Sequence, residues 1–343
     1  MTRQHHPSPS PNPYAALNRR DWLALSAIGA SALVLPPAMA QQAYPSKSIR
    51  LVVPFNAGGA TDVLARLIGE KLGARLGQPV VIDNKAGASG ILGTDTVAKA
   101  NADGHTLLFS LTTSMLTNQF LYEKLPYNPQ RDLALVSQVA LGPIVLVVNA
   151  KVPVNNAQEL LAYVAANKDK LSYGSYGIGS HSHLIQAYIS NSQQANMTHI
   201  AYKGEAPMIQ DLIGGQIPMG IASALGLKPH IDSGKLKAIG VTGPTRMLVL
   251  PNVPTLAEQG LKDDVYGVVG WLGLAAPANT PKEIVQRLAT EVKAITELPD
   301  VNARIVAMGF IPNADTPEAF AASYKRDLPI WERMVKLSGA KLE

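Results

Sequence analysis

The strongest constraint on the fold is an alternation that runs twice along the chain. Ile49 to Phe55 is a short apolar run that reads as a buried strand, and Val63, Leu64, Leu67, Ile68, Leu72 and Leu76 then recur at helical spacing. Residues 79–82 read as a second strand and 90–100 as a second helix, and the Asp103-Gly104 turn leads into a strand over 106–110. Strand, helix, strand, helix, strand implies a parallel sheet with right-handed crossovers. The alternation resumes after an apolar strand at 143–148. Asn156, three residues before Glu159, opens a helix as a capping box does. Strands over 171–174, 198–201, 217–221 and 236–241 then enclose helices over 182–191 and 205–213. The chain ends in a strand near 266–275 and helices over 281–296, 299–307 and 317–338, with Pro281 and Pro317 at first-turn positions. The expected fold class is therefore α/β with two lobes, each a mostly parallel sheet flanked by helices. The first lobe is discontinuous, 41–141 and 265–343, and the second is 142–264. Two crossings of the chain between lobes make a hinge.

The first 40 residues stand apart from this pattern. Arg19 and Arg20 precede an apolar run from Trp22 to Leu35, and Ala38-Met39-Ala40 has the small-x-small form of a cleavage site. The run is shorter than the roughly 18 residues of a membrane-spanning helix. A cleavable signal peptide over 1–40 is expected, and with it a periplasmic location. The arginine pair suits twin-arginine export and does not exclude the general secretory route.

Composition narrows the function. The chain has 47% hydrophobic residues, enough for sizeable cores, and a formal net charge of +5. Removing 1–40 takes away Arg3, Arg19, Arg20 and Asp21 and leaves +3. No block of lysine or arginine accompanies that mild charge, so a nucleic-acid groove is not expected. There is no cysteine, which removes disulfides, thiolate catalysis and a lipid-anchored N-terminus.

Three loops leave strands and enter helices with glycine at the junction. In Asn56-Ala57-Gly58-Gly59-Ala60-Thr61-Asp62 the glycines either let an anion approach free helix N–H groups or serve only as a tight turn, with Asp62 as the cap. No Gly-Lys-Ser/Thr follows, so this is not a phosphate-binding P-loop. The second loop carries Gly174, Gly177 and Gly179 with Ser175, Ser180 and Ser182, without dinucleotide spacing or a nucleophile elbow. In the third, Tyr202-Lys203-Gly204, the lysine either neutralises a carboxylate or is solvated. His181 and His183 are two apart and diverge by about 200° on a helix. They make no metal site, and a histidine donating to a ligand fits better. Trp271 is a core residue or a wall against an apolar part of a ligand.

These pieces resemble, over about 45–343, the periplasmic substrate-binding proteins of tripartite tricarboxylate transporters, the TctC family or Bug receptors. The matching stretches are IRLVVPFNAGGATDVLAR, LGQPVVIDNKAGASGILGTDTVAKANADGHTLLFS, YKGEAPMIQDLIGGQI, LPNVPTLAEQG and WLGLAAPANTP. The resemblance implies a Venus-flytrap receptor without catalysis, cofactor or metal. Its ligand would be a small carboxylate (a di- or tricarboxylate, an amino acid or an aromatic acid). Its partners would be the membrane permease subunits of a tripartite transporter, and the receptor itself is expected to be a monomer. The family's carboxylate-holding loops carry over to Phe55, Ala57, Gly58, Gly59, Thr61 and Asp62, and to Ser175, Gly179 and Ser180. Ser110, His181, Tyr202, Lys203 and Trp271 complete the candidate set. Asn56, Ala201 and the small, apolar segment 217–227 depart from the family's usual residues and leave the far end of the ligand open. A sensor feeding a signalling partner would use the same clamp, and a hydrolase would need a nucleophile constellation that the sequence lacks.

Overall fold

The computed structural model describes residues 44–340, together with Thr2. The expected leader over 1–40 lies outside the described residues. The first half of the chain contains β1 (Ile49–Val53), α1 (Ala60–Leu76), β2 (Val80–Asn84), α2 (Ile91–Ala98), β3 (Thr106–Leu111) and β4 (Leu133–Gly142). Next come β5 (Val145–Asn149), α3 (Ala157–Ala166), β6 (Ser172–Ser175), α4 (His181–Ser192), β7 (Thr198–Ala201), α5 (Glu205–Gly214), β8 (Met219–Ala222), α6 (Ala224–Asp232) and β9 (Leu236–Val241). The chain closes with β10 (Gly270–Pro277), α7 (Lys282–Thr296), α8 (Pro299–Ala307), β11 (Ile311–Pro312) and α9 (Pro317–Ser338).

Two sheets result. One has strand order β11-β4-β10-β3-β1-β2 and the other β7-β6-β8-β5-β9. The expectation of mostly parallel sheets needs correction, because both are mixed. In the first, β1 is parallel to β2 and β3, while β10 is antiparallel to β3 and β4, and β11 to β4. In the second, β6 is parallel to β7 and β8, while β5 is antiparallel to β8 and β9. Helical crossovers produce the parallel halves. The strands on either side of the passages between sheets, β4 with β5 and β9 with β10, provide the antiparallel pairs. The strand expected near 266–275 begins only at Gly270, after a short helix Asp264–Gly267 whose start Asp263 caps by accepting from Val265 N–H.

Side-chain alternation distributes the apolar residues among three cores. Leu51 and Val53 of β1 join Leu107, Leu64, Ile68, Leu288 and Val292 under α1 and α7. Val145 and Val147 of β5 pack with Met208, Leu212 and Ile217 on the outer face of the second sheet. Val52 and Leu108, facing the other way, belong to a core shared with Leu146, Val148, Leu184 and Ile221 of the second sheet, joined through Met115, Trp271 and Trp331. The last helix is part of that join. Trp331 of α9 meets His181 of α4 edge-on with ring centroids 5.0 Å apart, and Asn191 Nδ2 donates to Ser338 O at 2.6 Å.

Candidate functional site

The C-terminal ends of β1, β3, β6, β7 and β8 all open towards the space between the sheets. In open α/β sheets this is the edge where ligands sit. A cavity of about 70 Å³ lies there, with walls from Phe55, Asn56 and Gly59–Thr61, from Thr112 and Thr113 after β3, and from Gly142, Gly270 and Trp271 at the passage between sheets. The second sheet contributes Tyr176, His181, Gly204, Glu205 and Ser223. A second cavity of about 160 Å³ lies on the other side of Phe55 and Tyr176, which wall both. It includes Gly87–Gly90, Gly177, Tyr202 and Lys203.

Helix ends dominate the electrostatics of the smaller cavity. The first N–H groups of a helix have no intrahelical partner and carry partial positive charge. The 17-residue α1 starts at Gly59 without a side-chain cap, and Gly59, Ala60 and Thr61 line the cavity. The helices α5 and α6 also start at the cavity, at Gly204 and Ser223, and neither has a side-chain cap. No lysine or arginine stands among the cavity's lining residues. His181 is 5% exposed and neither ring nitrogen has a hydrogen-bond partner among the described residues. Burial pushes its pKa down to about 3, so the ring is neutral, with one N–H to donate.

One carboxylate shares this space. Glu205, the first residue of α5, accepts from Ser223 N–H at 2.9 Å and from Ser223 Oγ at 2.6 Å. It thus occupies the N-terminus of α6 with the protein's own negative charge. Burial raises the Glu205 pKa, against the two bonds from Ser223. Burial and the neighbouring Glu205 charge also raise the phenol of Tyr176, which stays a neutral donor.

Of the residues singled out in the sequence, Phe55, Gly59, Thr61, His181 and Trp271 line the smaller cavity, and Phe55, Tyr202 and Lys203 line the larger. The others lie elsewhere, each for a visible reason. Ala57 and Gly58 are exposed on the outer turn of the loop. Gly58 N–H donates to Asp62 Oδ2 at 2.9 Å, and Asp62 also accepts from Arg66 Nε and Asn84 Nδ2, so this carboxylate braces the loop from behind. Ser110 Oγ is bonded to Ser114 Oγ at 2.7 Å. Ser175 Oγ pairs with His199 Nε2 at 2.7 Å, and Ser180 caps α4 by accepting from His183 N–H. Gly179, at φ +73°, packs where a side-chain carbon would overlap Leu121 Cδ1. Trp271 serves as both core and wall. It is 1% exposed and meets Phe320 edge-on at 4.9 Å, while its backbone N–H donates to Thr112 Oγ1 at 2.9 Å. Sequence reasoning missed Glu205, Ser223, Tyr176 and Thr112. The signal available was positional, since each stands one to four residues beyond the end of a strand that opens on the cavity.

The profile of the tripartite tricarboxylate transporter family receptor matches residues 64–336. A UPF0065 protein from the tcbD-tcbE intergenic region of a Pseudomonas species is 37% identical over 294 residues, covering 85% of this chain and 87% of the relative. The solved structure of the periplasmic binding protein BugD superposes with a TM-score of 0.82 at 35% identity, covering 88% of this chain and all of BugD. An R. palustris protein solved with adipate superposes at 0.83 with 33% identity, covering 87% of this chain and all of that one. The chain described here belongs to the tripartite tricarboxylate transporter receptor family.

Proposed function

We propose that the protein is a periplasmic solute-binding receptor, not an enzyme, which captures a small carboxylate between its two sheets and passes it to the permease subunits of a tripartite transporter. The observation that carries this reading is the uncapped N-terminus of α1 opening into a cavity beside His181, a buried side chain with no partner of its own among the described residues. A carboxylate there accepts from the free N–H groups of the first turn and from the Thr61 hydroxyl, and the neutral imidazole donates one further bond. Backbone donors need no counter-charge, which suits a cavity without lysine or arginine. The apolar wall of Phe55, Trp271, Leu272 and Phe310 covers the carbon skeleton of the ligand. BugD is a periplasmic binding protein and the R. palustris relative holds adipate, which supports both the location and the ligand class. The protein acts as a monomer in this reading, since each chain carries a whole clamp.

A thermal-shift screen of the purified chain against mono-, di- and tricarboxylates, amino acids and aromatic acids tests the proposal. An acid present at 100 times its dissociation constant adds about 2.7 kcal/mol of stability and raises the melting temperature accordingly. Chemical turnover of the bound acid would overturn the receptor reading, and a flat screen would overturn the carboxylate reading.

A further inference from the structure

The smaller cavity has two unlike walls, one from each sheet. At one, the N-terminus of α1 is open and has no side-chain cap. At the other, the N-terminus of α6 is already answered by Glu205, which accepts from Ser223 N–H at 2.9 Å and Ser223 Oγ at 2.6 Å. Both bonds run from Ser223 to the carboxylate oxygens, one to each, and favour the ionised form against the burial that raises its pKa, so a neighbouring cation is what this carboxylate lacks. Each oxygen keeps a further lone pair. No arginine or lysine lines the cavity to answer that charge, and His181, the one histidine on its wall, is held neutral by burial. The cavity is therefore built to attract an anion at the first wall and a cation at the second.

From this bipolar arrangement we infer that Glu205 selects a ligand that carries an ammonium group as well as its carboxylate, and disfavours a second carboxylate. The inference rests on the carboxylate-receptor reading above and sharpens it. A ligand ammonium donates to the free lone pairs of Glu205 in a water-poor space, where charge-assisted bonds are strong. A dicarboxylate in the same place sets two like charges against each other, and one of them must take up a proton or move away. Ser223 acts as a positioning residue, because it holds the Glu205 carboxylate without needing to touch the ligand.

The test is a calorimetric comparison of matched acids on the full chain. Succinate, glutarate and adipate form one arm. The ω-amino acids 4-aminobutanoate, 5-aminopentanoate and 6-aminohexanoate form a second, and alanine and leucine, with the ammonium beside the carboxylate, form a third. The parent is expected to bind an acid of the amino arms about tenfold or more tighter than any dicarboxylate. Glu205→Gln keeps the shape and loses the charge. It should weaken the amino acids by about tenfold or more and strengthen the dicarboxylates, reversing the order. Ser223→Ala should move both in the same directions by less, and melting curves without ligand establish that both variants fold. If the parent binds dicarboxylates and not amino acids, the receptor reading stands and this inference falls. The inference also falls if Glu205→Gln changes both classes alike. If no acid of any arm binds, the carboxylate reading falls and takes this one with it.

Discussion

Thr61 and Asp62 are neighbours in the first turn of α1 with opposite tasks. A step of about 100° around the helix separates their side chains. Thr61 lies on the cavity wall, whereas Asp62 turns back to bind Gly58 N–H, Arg66 and Asn84. Thr61→Ala should weaken binding of the best acid by the worth of one neutral hydrogen bond, about 0.5–1.5 kcal/mol, with an unchanged urea midpoint. Asp62→Ala strands three donors and should cost about 1–3 kcal/mol of stability, read by urea unfolding without ligand. Gly59 stands at φ −77°, where valine is allowed, and an added Cβ meets only Asn56 O at 3.8 Å. Gly59→Val should therefore fold normally and, with its methyls at the cavity wall, bind the same acid at least about tenfold more weakly in titration calorimetry. The junction 54–62 was legible as a site from its strand–glycine–helix pattern. Which face each residue takes was not, because that depends on where the helix starts, and here it starts one residue before Thr61. Glu205 was hidden for a similar reason. A glutamate after Lys203-Gly204 reads as an ordinary first-turn acid until Ser223, 18 residues on, is brought beside it.

At the scale of elements, α4 and the strands beneath it hold an unusual stack. The rings of His183 and His199 lie 3.9 Å apart at 12°, with Tyr173 on the His199 ring at 5.0 Å. Gly179 N–H donates to His183 Nδ1 at 3.0 Å, which requires that nitrogen to be unprotonated. Burial lowers His183 to about 3 and His199 to about 4, and for His183 the neighbouring imidazole adds to the effect. The unfolded chain takes up these protons near pH 6.5 and the folded chain does not, so the unfolded state binds more protons below that pH. Stability is full above about pH 6.5 and falls as pH drops towards 4, by up to about 1.4 kcal/mol per pH unit for each such histidine. The carboxyls of Asp315 and Asp327, raised by burial, work the other way. The informative quantity is thus a difference, in which His199→Gln should give a shallower loss of urea midpoint between pH 7 and pH 5 than the parent. The elements themselves were mostly legible, with α8 and α9 found to the residue and Pro317 opening α9, while Pro281 stands one residue before α7 and not in its first turn. Two were not. The strand β4 interrupts its apolar run with Ser137 and Gln138, which are buried because Asp315 and Asn313 bond them from the β11 side. The helix α6 contains Pro229, a residue that argues against helix in a sequence and is tolerated here where few intrahelical bonds depend on it.

For the whole molecule, the two sheets meet across the cleft at a few loop contacts. An added Cβ on Gly204 would lie 4.0 Å from Asn56 Cβ, one on Gly177 would lie 3.7 Å from Ser89 Oγ, and Thr117 Oγ1 donates to Gly179 O at 3.2 Å. These contacts are small beside the shared core at the passage between sheets, so opening would rotate the sheets about that core and α9. Small-angle scattering should show a smaller radius at saturation with the best acid than without ligand. An unchanged radius would mean a rigid pocket. Strand order has another consequence, which concerns time more than shape. In the first sheet, β10 lies between β3 and β4, and its second residue, Trp271, is bonded to Thr112 across 159 residues of chain. Pairings this distant form slowly, because a long loop must close before any contact rewards it. A fragment ending at residue 141 should show no cooperative melting by circular dichroism. In the whole chain, β3 and β4 wait with bare edges until the last quarter of the protein arrives, and a bare edge is a template for the wrong partner. The interval between making β4 and making β10 is therefore when this receptor is most exposed to aggregation.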